Sequence, residues 1–178
     1  MNHDVYPDGY IAGILRSVKT IAMVGASANE VRPSYFVLKY LSQRGFRLFP
    51  INPGLAGQTI LGLPVYARLK DVPEPIDMVD IFRNSEAAGA VVDEALALIP
   101  LPQVIWMQLT VRNDAAAARA EALGVKMVMN RCPKIEFGRL SGEIGWAGVN
   151  SRTLSSKRLL RDQSGFQRLG LRPQGPRE

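Results

Sequence analysis

The 178-residue chain has very few of the residues that build metal sites and disulfides. It contains one cysteine, Cys132, and one histidine, His3. A single cysteine excludes an internal disulfide, and these two residues leave no cluster of the kind that binds zinc or iron. We therefore expect no metal site and a reducing compartment, and we assign the chain to the cytoplasm.

Long hydrophobic runs are also absent. No stretch reaches the roughly 18 apolar residues that suggest a membrane-spanning helix. The first eight residues lack the basic and apolar regions of a secretory signal peptide. The hydrophobic share of 47% and the charged share of 21% are ordinary for a globular chain that buries a core. We expect one globular domain and no membrane partner.

Acidic residues are scarce at the carboxyl end. Residues 152–178 carry seven basic and two acidic side chains, so most of the net charge of +6 lies there. A cationic tail can contact nucleic acid or anionic lipid, or it can be a solvated, partly disordered extension. We favour the second interpretation. The expected organisation is one domain over residues 1–150 followed by a basic tail over 151–178.

Two nucleotide-binding motifs are missing as well. No Gly-Lys-Ser or Gly-Lys-Thr occurs, which argues against a P-loop kinase or ATPase. The loop after the first predicted strand has one glycine, Gly25, where the NAD-binding motif has three. In addition, no Asp or Glu occurs between Val31 and Lys70 to hold the ribose hydroxyls of NAD. Both departures argue against an NAD site.

The most informative stretch runs from Thr20 to Ser34. An apolar run ends at Gly25, a short polar loop follows, and Pro33 opens a helical pattern. Proline suits the first helical turn, and the free N–H groups at a helix start attract anions. A glycine also lets a ligand approach the backbone closely. The stretch predicts a strand, a phosphate-binding loop and a helix.

Apolar runs alternate with amphipathic segments along the rest of the chain, which is typical of βαβ units. We predict an α/β, Rossmann-like, doubly wound and mostly parallel five-stranded sheet with helices on both faces. Asp8 and Ser85 are predicted to cap the helices that follow them, as is Asn113. Residues 134–150 are predicted to be irregular, with Trp146 as an anchor. The predicted strands are 20–25, 46–51, 77–82, 104–107 and 125–129, with a short one at 64–66, and the helices are 8–18, 33–44, one that follows Ser85, and 113–123.

Ligands of such sheets bind at the carboxyl ends of the strands. The chain resembles the family of CoA-binding proteins built on a Rossmann-like domain, which also forms the first half of the succinyl-CoA synthetase alpha subunit. The resemblance covers roughly residues 15–140 and implies that coenzyme A is the ligand. It rests on Val24-Gly25-Ala26-Ser27, Arg32-Pro33-Ser34-Tyr35, Pro50-Ile51-Asn52-Pro53, Asp77 to Arg83, Trp106-Met107-Gln108-Leu109 and Asn130-Arg131-Cys132-Pro133.

The resemblance implies that the loop at 25–28 meets the CoA pyrophosphate and that the rims at 52–53 and 82–84 flank the adenosine. Arginine forks bind phosphate oxygens well, so Arg32 and Arg83 are candidates, although either can be a surface arginine. Ser27 donates to a phosphate or caps a turn. Tyr35 and Phe82 flank the ligand or pack in the core, and Trp106 is expected in the core. The candidate ligand-binding residues are Gly25, Ala26, Ser27, Ala28, Arg32, Tyr35, Asn52, Pro53, Phe82, Arg83, Asn84 and Gln108.

No catalytic residue is predicted. In the related ligases a phosphorylated histidine on a second domain carries the reaction, and this chain lacks that domain. Cys132 has no histidine partner in the domain and is interpreted as a structural thiol, with redox pairing to the CoA thiol left open. Asp77 and Asp80 lie on opposite faces of a strand and make a poor acid/base pair.

The expected function is therefore non-catalytic binding of CoA or an acyl-CoA. The alternatives are a subunit of an acyl-CoA ligase or a small NAD(P)-dependent oxidoreductase. Whether the chain forms a homodimer or docks to a partner enzyme stays open.

Overall fold

Five parallel strands form the centre of the molecule in the computed structural model, which describes residues 2–142. The predicted tail and Trp146 lie outside the described residues. Apolar, β-branched runs without alternation form these strands because helices cover both faces of the sheet. In chain order the strands are β1 (Thr20–Val24), β2 (Arg47–Ile51), β3 (Thr59–Ile60), β4 (Leu63–Pro64), β5 (Met78–Ile81), β6 (Val104–Met107) and β7 (Lys126–Val128).

The strand order of the main sheet is β2-β1-β5-β6-β7, and every pair in it is parallel. The predicted five-stranded Rossmann-like class is confirmed. The strands β3 and β4 form a separate antiparallel pair. The prediction of a short strand at 64–66 is wrong in detail, because the strand ends at Pro64 and Tyr66 makes only an isolated bridge to Ile51.

Five α-helices surround the sheet in the described part of the chain. They are α1 (Asp8–Ser17), α2 (Pro33–Gln43), α3 (Ser85–Leu96), α4 (Asp114–Ala122) and α5 (Pro133–Ser141). None of them is long and apolar enough to cross a membrane.

Each face of the sheet has its own apolar core. Alternate strand residues such as Ala22 and Val79 pack with α3 and α4, whereas Ile21 and Met78 pack with α1, α2 and α5. Large side chains on both faces are fully buried. Full burial of one such side chain contributes about 1.5–3 kcal/mol, so the two cores hold the strand ends in fixed register.

Two predicted caps are wrong. Asn84, not Ser85, caps α3 by accepting from Ala87 N–H, while Ser85 Oγ accepts from Arg112 N–H at 3.0 Å. Pro7 precedes α1, and Asp8 instead lies in the first turn and pairs with Arg139 Nη1 at 2.8 Å. The Asn113 cap of α4 is confirmed.

The prediction of an irregular segment from residue 134 is also wrong, because α5 occupies Pro133–Ser141. Proline at the first position and left-handed Gly142 after the end are a start and a stop signal for a helix. The ring of Phe137 meets those of Tyr40 and Phe46 edge-on at centroid distances of 6.2 and 5.9 Å. These contacts hold the helix on the second core.

Candidate functional site

A cleft of about 900 Å³ opens at the carboxyl ends of the central strands. The chain order reverses between β1 and β5, which is the switch point at which doubly wound sheets bind ligands. The predicted residues that line this cleft are Gly25, Ala26, Ser27, Arg32, Asn52, Phe82, Arg83, Asn84 and Gln108. Three predicted residues, Ala28, Tyr35 and Pro53, do not line it.

Gly25 holds β1 against β5 at the base of the cleft. Its φ is +88°, and a Cβ built there would lie 2.3 Å from the carbonyl oxygen of Phe82. Glycine is therefore required because the neighbouring backbone approaches it closely. From the sequence, we had expected a ligand to make this close approach. The glycine shapes the floor of the site.

Asn52 ties the loop at 25–28 to the end of β2. Its Nδ2 donates to the carbonyl of Ala26 at 2.7 Å, and its Oδ1 accepts from Gly54 N–H at 2.9 Å. Ser27 Oγ accepts from Asn29 N–H at 3.1 Å, so the turn-capping alternative for Ser27 is present, while its own O–H remains available. Both side chains fix the shape of the loop.

Three helices, α2, α3 and α5, begin at the cleft, and their positive dipole ends face it. The start of α2 has no side-chain cap. Ser34, in its first turn, is only 4% exposed, and its hydroxyl has no hydrogen-bond partner among residues 2–142. The backbone N–H groups of Ser27 and Ser34 likewise donate to no described residue. Such unpaired donors beside a helix start suit an anion.

The charge of the cleft is positive. Arg32 and Arg83 are both exposed and line it, and neither forms an ion pair within the described part of the chain. No Asp or Glu of that part belongs to the cleft lining. The lining therefore has cationic side chains with free donors and no carboxylate to repel an anion.

Gln108 and Cys132 line the floor of the cleft, and Asp80 is buried beneath it. Asp80 is 0% exposed, and Gln108 Nε2 donates to its two carboxylate oxygens at 2.9 and 3.1 Å. Burial raises the pKa of Asp80 to about 7, and the hydrogen bond from Gln108 only partly offsets this. Burial also raises the pKa of the Cys132 thiol, which therefore stays neutral.

Asp77 has a different environment from Asp80, as the spacing predicts. Its carboxylate accepts from the N–H groups of Lys19 and Thr20 at 2.8 and 3.0 Å and from Gln103 Nε2 at 2.9 Å. Burial alone would raise the pKa of Asp77, but these hydrogen bonds outweigh burial and lower it. Asp77 is thus an ionised structural carboxylate outside the cleft.

Among the aromatic candidates, only Phe82 is part of the cleft. It also packs against the second core. The hydroxyl of Tyr35 instead donates to Glu30 at 3.1 Å. Trp106 is fully buried, as predicted, and its Nε1 donates to the carbonyl of Arg131 at 2.8 Å.

Several residues of the cleft were not predicted from the sequence. Ser34 follows Pro33 in the first turn of α2, and this position beside the phosphate-binding loop was the signal that could have identified it. Thr110 has a φ of +68°, which is strained for a β-branched residue, and its N–H donates to Asn130 Oδ1 at 2.8 Å. The missed lining residues are Pro33, Ser34, Val37, Ala87, Leu109, Thr110, Val111 and Cys132.

A sequence model described as CoA binding domain matches residues 19–138, which include the whole cleft lining. The chain belongs to this family. It is 33% identical over 125 residues to the uncharacterized protein YneT of Bacillus subtilis, which covers 70% of this chain and 90% of YneT.

Solved structures of similar proteins share the fold. A hypothetical protein from Pyrococcus horikoshii matches with a TM-score of 0.72 at 33% identity, covering 79% of this chain and 96% of that chain. A protein from Thermus thermophilus matches with a TM-score of 0.71 at 33% identity, covering 75% and 98%.

A further relative is an enzyme. The ADP-forming acetate–CoA ligase II of Archaeoglobus fulgidus is 34% identical over 65 residues, which is 35% of this chain but only 9% of the ligase. The predicted relationship to an acyl-CoA ligase is thus present through an acetate–CoA ligase. The finer likeness to succinyl-CoA synthetase stays a prediction.

Proposed function

We propose that this protein binds coenzyme A or an acyl-CoA in the cleft and performs no chemistry on it. The observation that carries the proposal is the cationic lining at the switch point. Within residues 2–142 this lining holds no carboxylate, and the donors of Ser27 and Ser34 have no partner. Family membership supports the same ligand.

The cleft offers suitable groups for each anionic part of CoA. The N–H groups of Ser27 and Ser34 and the Ser34 hydroxyl would hold the pyrophosphate. Arg32 and Arg83 would bind phosphate oxygens through charge-assisted hydrogen bonds. Phe82 would lie against the adenine. CoA bound in this way supplies a thiol or thioester at the end of its pantetheine arm.

The arrangement favours CoA over NAD. The position after β2 that carries an acid in NAD sites is Asn52, and both ends of its side-chain amide are already bonded to the backbone. A neutral amide that is engaged in this way is a poor substitute for the carboxylate that binds ribose hydroxyls. An NAD(P)-dependent oxidoreductase is therefore the weaker alternative.

The cleft also offers no activated nucleophile among the described residues. Cys132 is 6% exposed with a raised pKa, so its thiolate fraction at neutral pH is low. His3 does not line the cleft and instead lies 2.9 Å from the Tyr6 hydroxyl. We propose a cytoplasmic, non-catalytic binding domain over residues 1–150, followed by the basic tail.

Isothermal titration with CoA, dephospho-CoA and NAD tests this function. We expect CoA to bind, dephospho-CoA to bind more weakly, and NAD not to bind. Arg32→Ala and Arg83→Ala should each weaken CoA binding by about 10- to 100-fold, because a hydrogen bond to a charged group contributes roughly 1.5–3 kcal/mol.

Arg119→Ala is the matched control, since Arg119 is exposed, pairs with Asp93 at 2.8 Å and lies outside the cleft. Its affinity should equal that of the wild type. Absence of CoA binding in the wild-type protein, or equal losses in all three variants, would contradict the proposal.

One observation favours the second candidate, a subunit of an acyl-CoA ligase. The chain aligns with a 65-residue part of an ADP-forming acetate–CoA ligase, most of which has no counterpart here. Such a subunit would need a second chain that carries the remaining domains. Co-purification of that chain with acyl-CoA synthesis by the mixture would establish this alternative.

A further inference from the structure

The Gln108 amide presents one hydrogen-bonding end to the cleft and the other to a buried acid. Gln108 follows β6, is 6% exposed and lines the cleft. Its Nε2 is committed to Asp80, and its Oε1 bonds no residue of the described chain. Whichever of Nε2 and Oε1 bonds Asp80, the other faces the cleft. The hydrogen-bonding requirement of Asp80 therefore decides which one the ligand meets.

We propose that Gln108 determines ligand binding at the floor of the cleft and that Asp80 is the positioning residue that sets whether Gln108 presents an acceptor or a donor there. This inference rests on the proposed function, because it names how that same site recognises its ligand. The ligand group concerned is an oxygen acceptor of an anionic ligand, either a phosphate or an amide carbonyl.

The two protonation states of Asp80 have opposite requirements. An ionised Asp80 only accepts, so it takes Nε2 and leaves Oε1 toward the cleft. A protonated Asp80 donates its O–H, and Gln108 satisfies it by turning its amide over so that Oε1 accepts. Nε2 then points into the cleft as a donor.

An anionic ligand favours the protonated state for two reasons. The donor end of Gln108 attracts ligand oxygens, and a neutral Asp80 adds no buried negative charge beneath them. Ligand binding should therefore be accompanied by proton uptake at Asp80.

Arg32 and Arg83 line the same cleft, but neither is among the causes that shift the pKa of Asp80. The neighbouring strands contribute Met23 from β1 and Trp106 from β6 at its register positions. At the start of α5, Cys132 is the titratable neighbour, and burial keeps it neutral. From α2 the cleft receives the uncharged Ser34 and Val37. The pKa of Asp80 is set by burial and by its hydrogen bond from Gln108.

Titration of the wild type and Asp80→Asn with dephospho-CoA at about pH 6 and about pH 8 tests the inference. Dephospho-CoA lacks the 3′-phosphate, whose second ionisation near pH 6 would otherwise interfere. The pKa of Asp80 is about 7. Wild-type affinity should fall about tenfold between the two pH values, because only about a tenth of the protein remains protonated at pH 8.

Asp80→Asn is a neutral mimic whose Nδ2 supplies a donor for Gln108 Oε1 at every pH. Its affinity should match the wild type at pH 6, exceed it about tenfold at pH 8 and change little with pH. Asp93→Asn, a change at an exposed carboxylate that pairs with Arg119, should retain the wild-type pH profile. Gln108→Met should weaken binding both alone and combined with Asp80→Asn. In its presence Asp80→Asn should change the affinity much less than it does with Gln108 in place, because only the direct effect of the buried charge remains.

A second readout does not depend on the variants. Calorimetry of the wild type at pH 8 in buffers of different ionisation enthalpy should reveal proton uptake on binding. This inference alone would be overturned if dephospho-CoA bound without proton uptake. It would also be overturned if the ratio of the wild-type affinity to the Asp80→Asn affinity were the same at both pH values. No binding of CoA or dephospho-CoA at either pH would instead remove the proposed function.

Discussion

Asp80→Asn should also change how the stability of the ligand-free protein depends on pH. Asp80 is 0% exposed, and burial raises its pKa to about 7. In the unfolded chain an aspartate has a pKa of about 3.9. Between these two values the folded state holds a proton that the unfolded state has released.

The sign follows from this difference in bound protons. Because the folded state binds more protons, the free energy of unfolding decreases as the pH rises from about 4 to about 7. The favourable contribution of neutral Asp80 is complete below the unfolded pKa and is lost as the pH passes the folded pKa. With a pKa difference of roughly 3 units, the loss amounts to about 4 kcal/mol at 1.36 kcal/mol per unit.

Asparagine does not titrate, so the free energy of unfolding of Asp80→Asn lacks the pH-dependent contribution of Asp80. Urea unfolding of both proteins at several pH values, followed by circular dichroism, gives the difference in free energy of unfolding. Between acidic and slightly alkaline pH, we expect the wild type to lose about 4 kcal/mol of stability relative to Asp80→Asn, whichever protein is more stable at low pH. All other titrating groups cancel in the difference.

Asp93→Asn serves again as the control, because Asp93 is exposed and its pair with Arg119 contributes little to stability. A pH-independent difference between the wild type and Asp80→Asn would refute the reasoning. It would mean that Asp80 keeps its charge in the folded state at acidic pH, and the amide of Gln108 would then have one fixed orientation.

Two further predictions concern the framework of the cleft. Gly25→Ala should destabilise the fold by about 1–3 kcal/mol more than Gly124→Ala, because overpacking against the Phe82 carbonyl adds to the strain of a positive φ. Gly124 also has a positive φ, but no atom lies within 4 Å of a Cβ added there. Equal losses of stability in urea unfolding would therefore contradict the contact between Gly25 and Phe82. Tyr6→Phe should cost about 1–3 kcal/mol, because it leaves the buried Met129 N–H, 2.8 Å from the Tyr6 hydroxyl, without an acceptor. Tyr35→Phe, which removes only the exposed bond to Glu30, should have little effect on thermal unfolding, and a comparable loss there would count against this reasoning.

The sheet was predictable because each strand is an apolar run between turn residues. The alternation with helices also indicated the parallel direction, and the five strands lie within a residue or two of their predicted bounds. The α5 helix was missed because glycine richness was taken as a sign of irregular structure. Pro133 and Gly142 at its ends were the better signals, since they begin and end a helix.

The location of the cleft was also predictable, because it follows from the strand ends of a parallel sheet. The roles of individual residues were not. Asn52 was a ligand candidate by position, yet its amide is bonded to Ala26 and Gly54. Tyr35, in the first turn of α2, has its hydroxyl bonded to Glu30 outside the cleft. A side chain that serves the fold cannot be separated from one that serves a ligand until its hydrogen bonds are known.

The pairing of Asp80 with Gln108 shows the same limit most clearly. The two residues are 28 positions apart, and nothing in either strand indicates that one amide would be the partner of a buried carboxylate. Sequence spacing placed Asp80 on the opposite face from Asp77 and so dismissed both as a catalytic pair. The parallel register of β5 and β6 brings Gln108, just beyond β6, to the buried acid, and the cleft lies beside it. In the proposed role of Gln108, a carboxylate without a catalytic partner acts on the ligand through a neutral side chain that bonds the acid and lines the cleft.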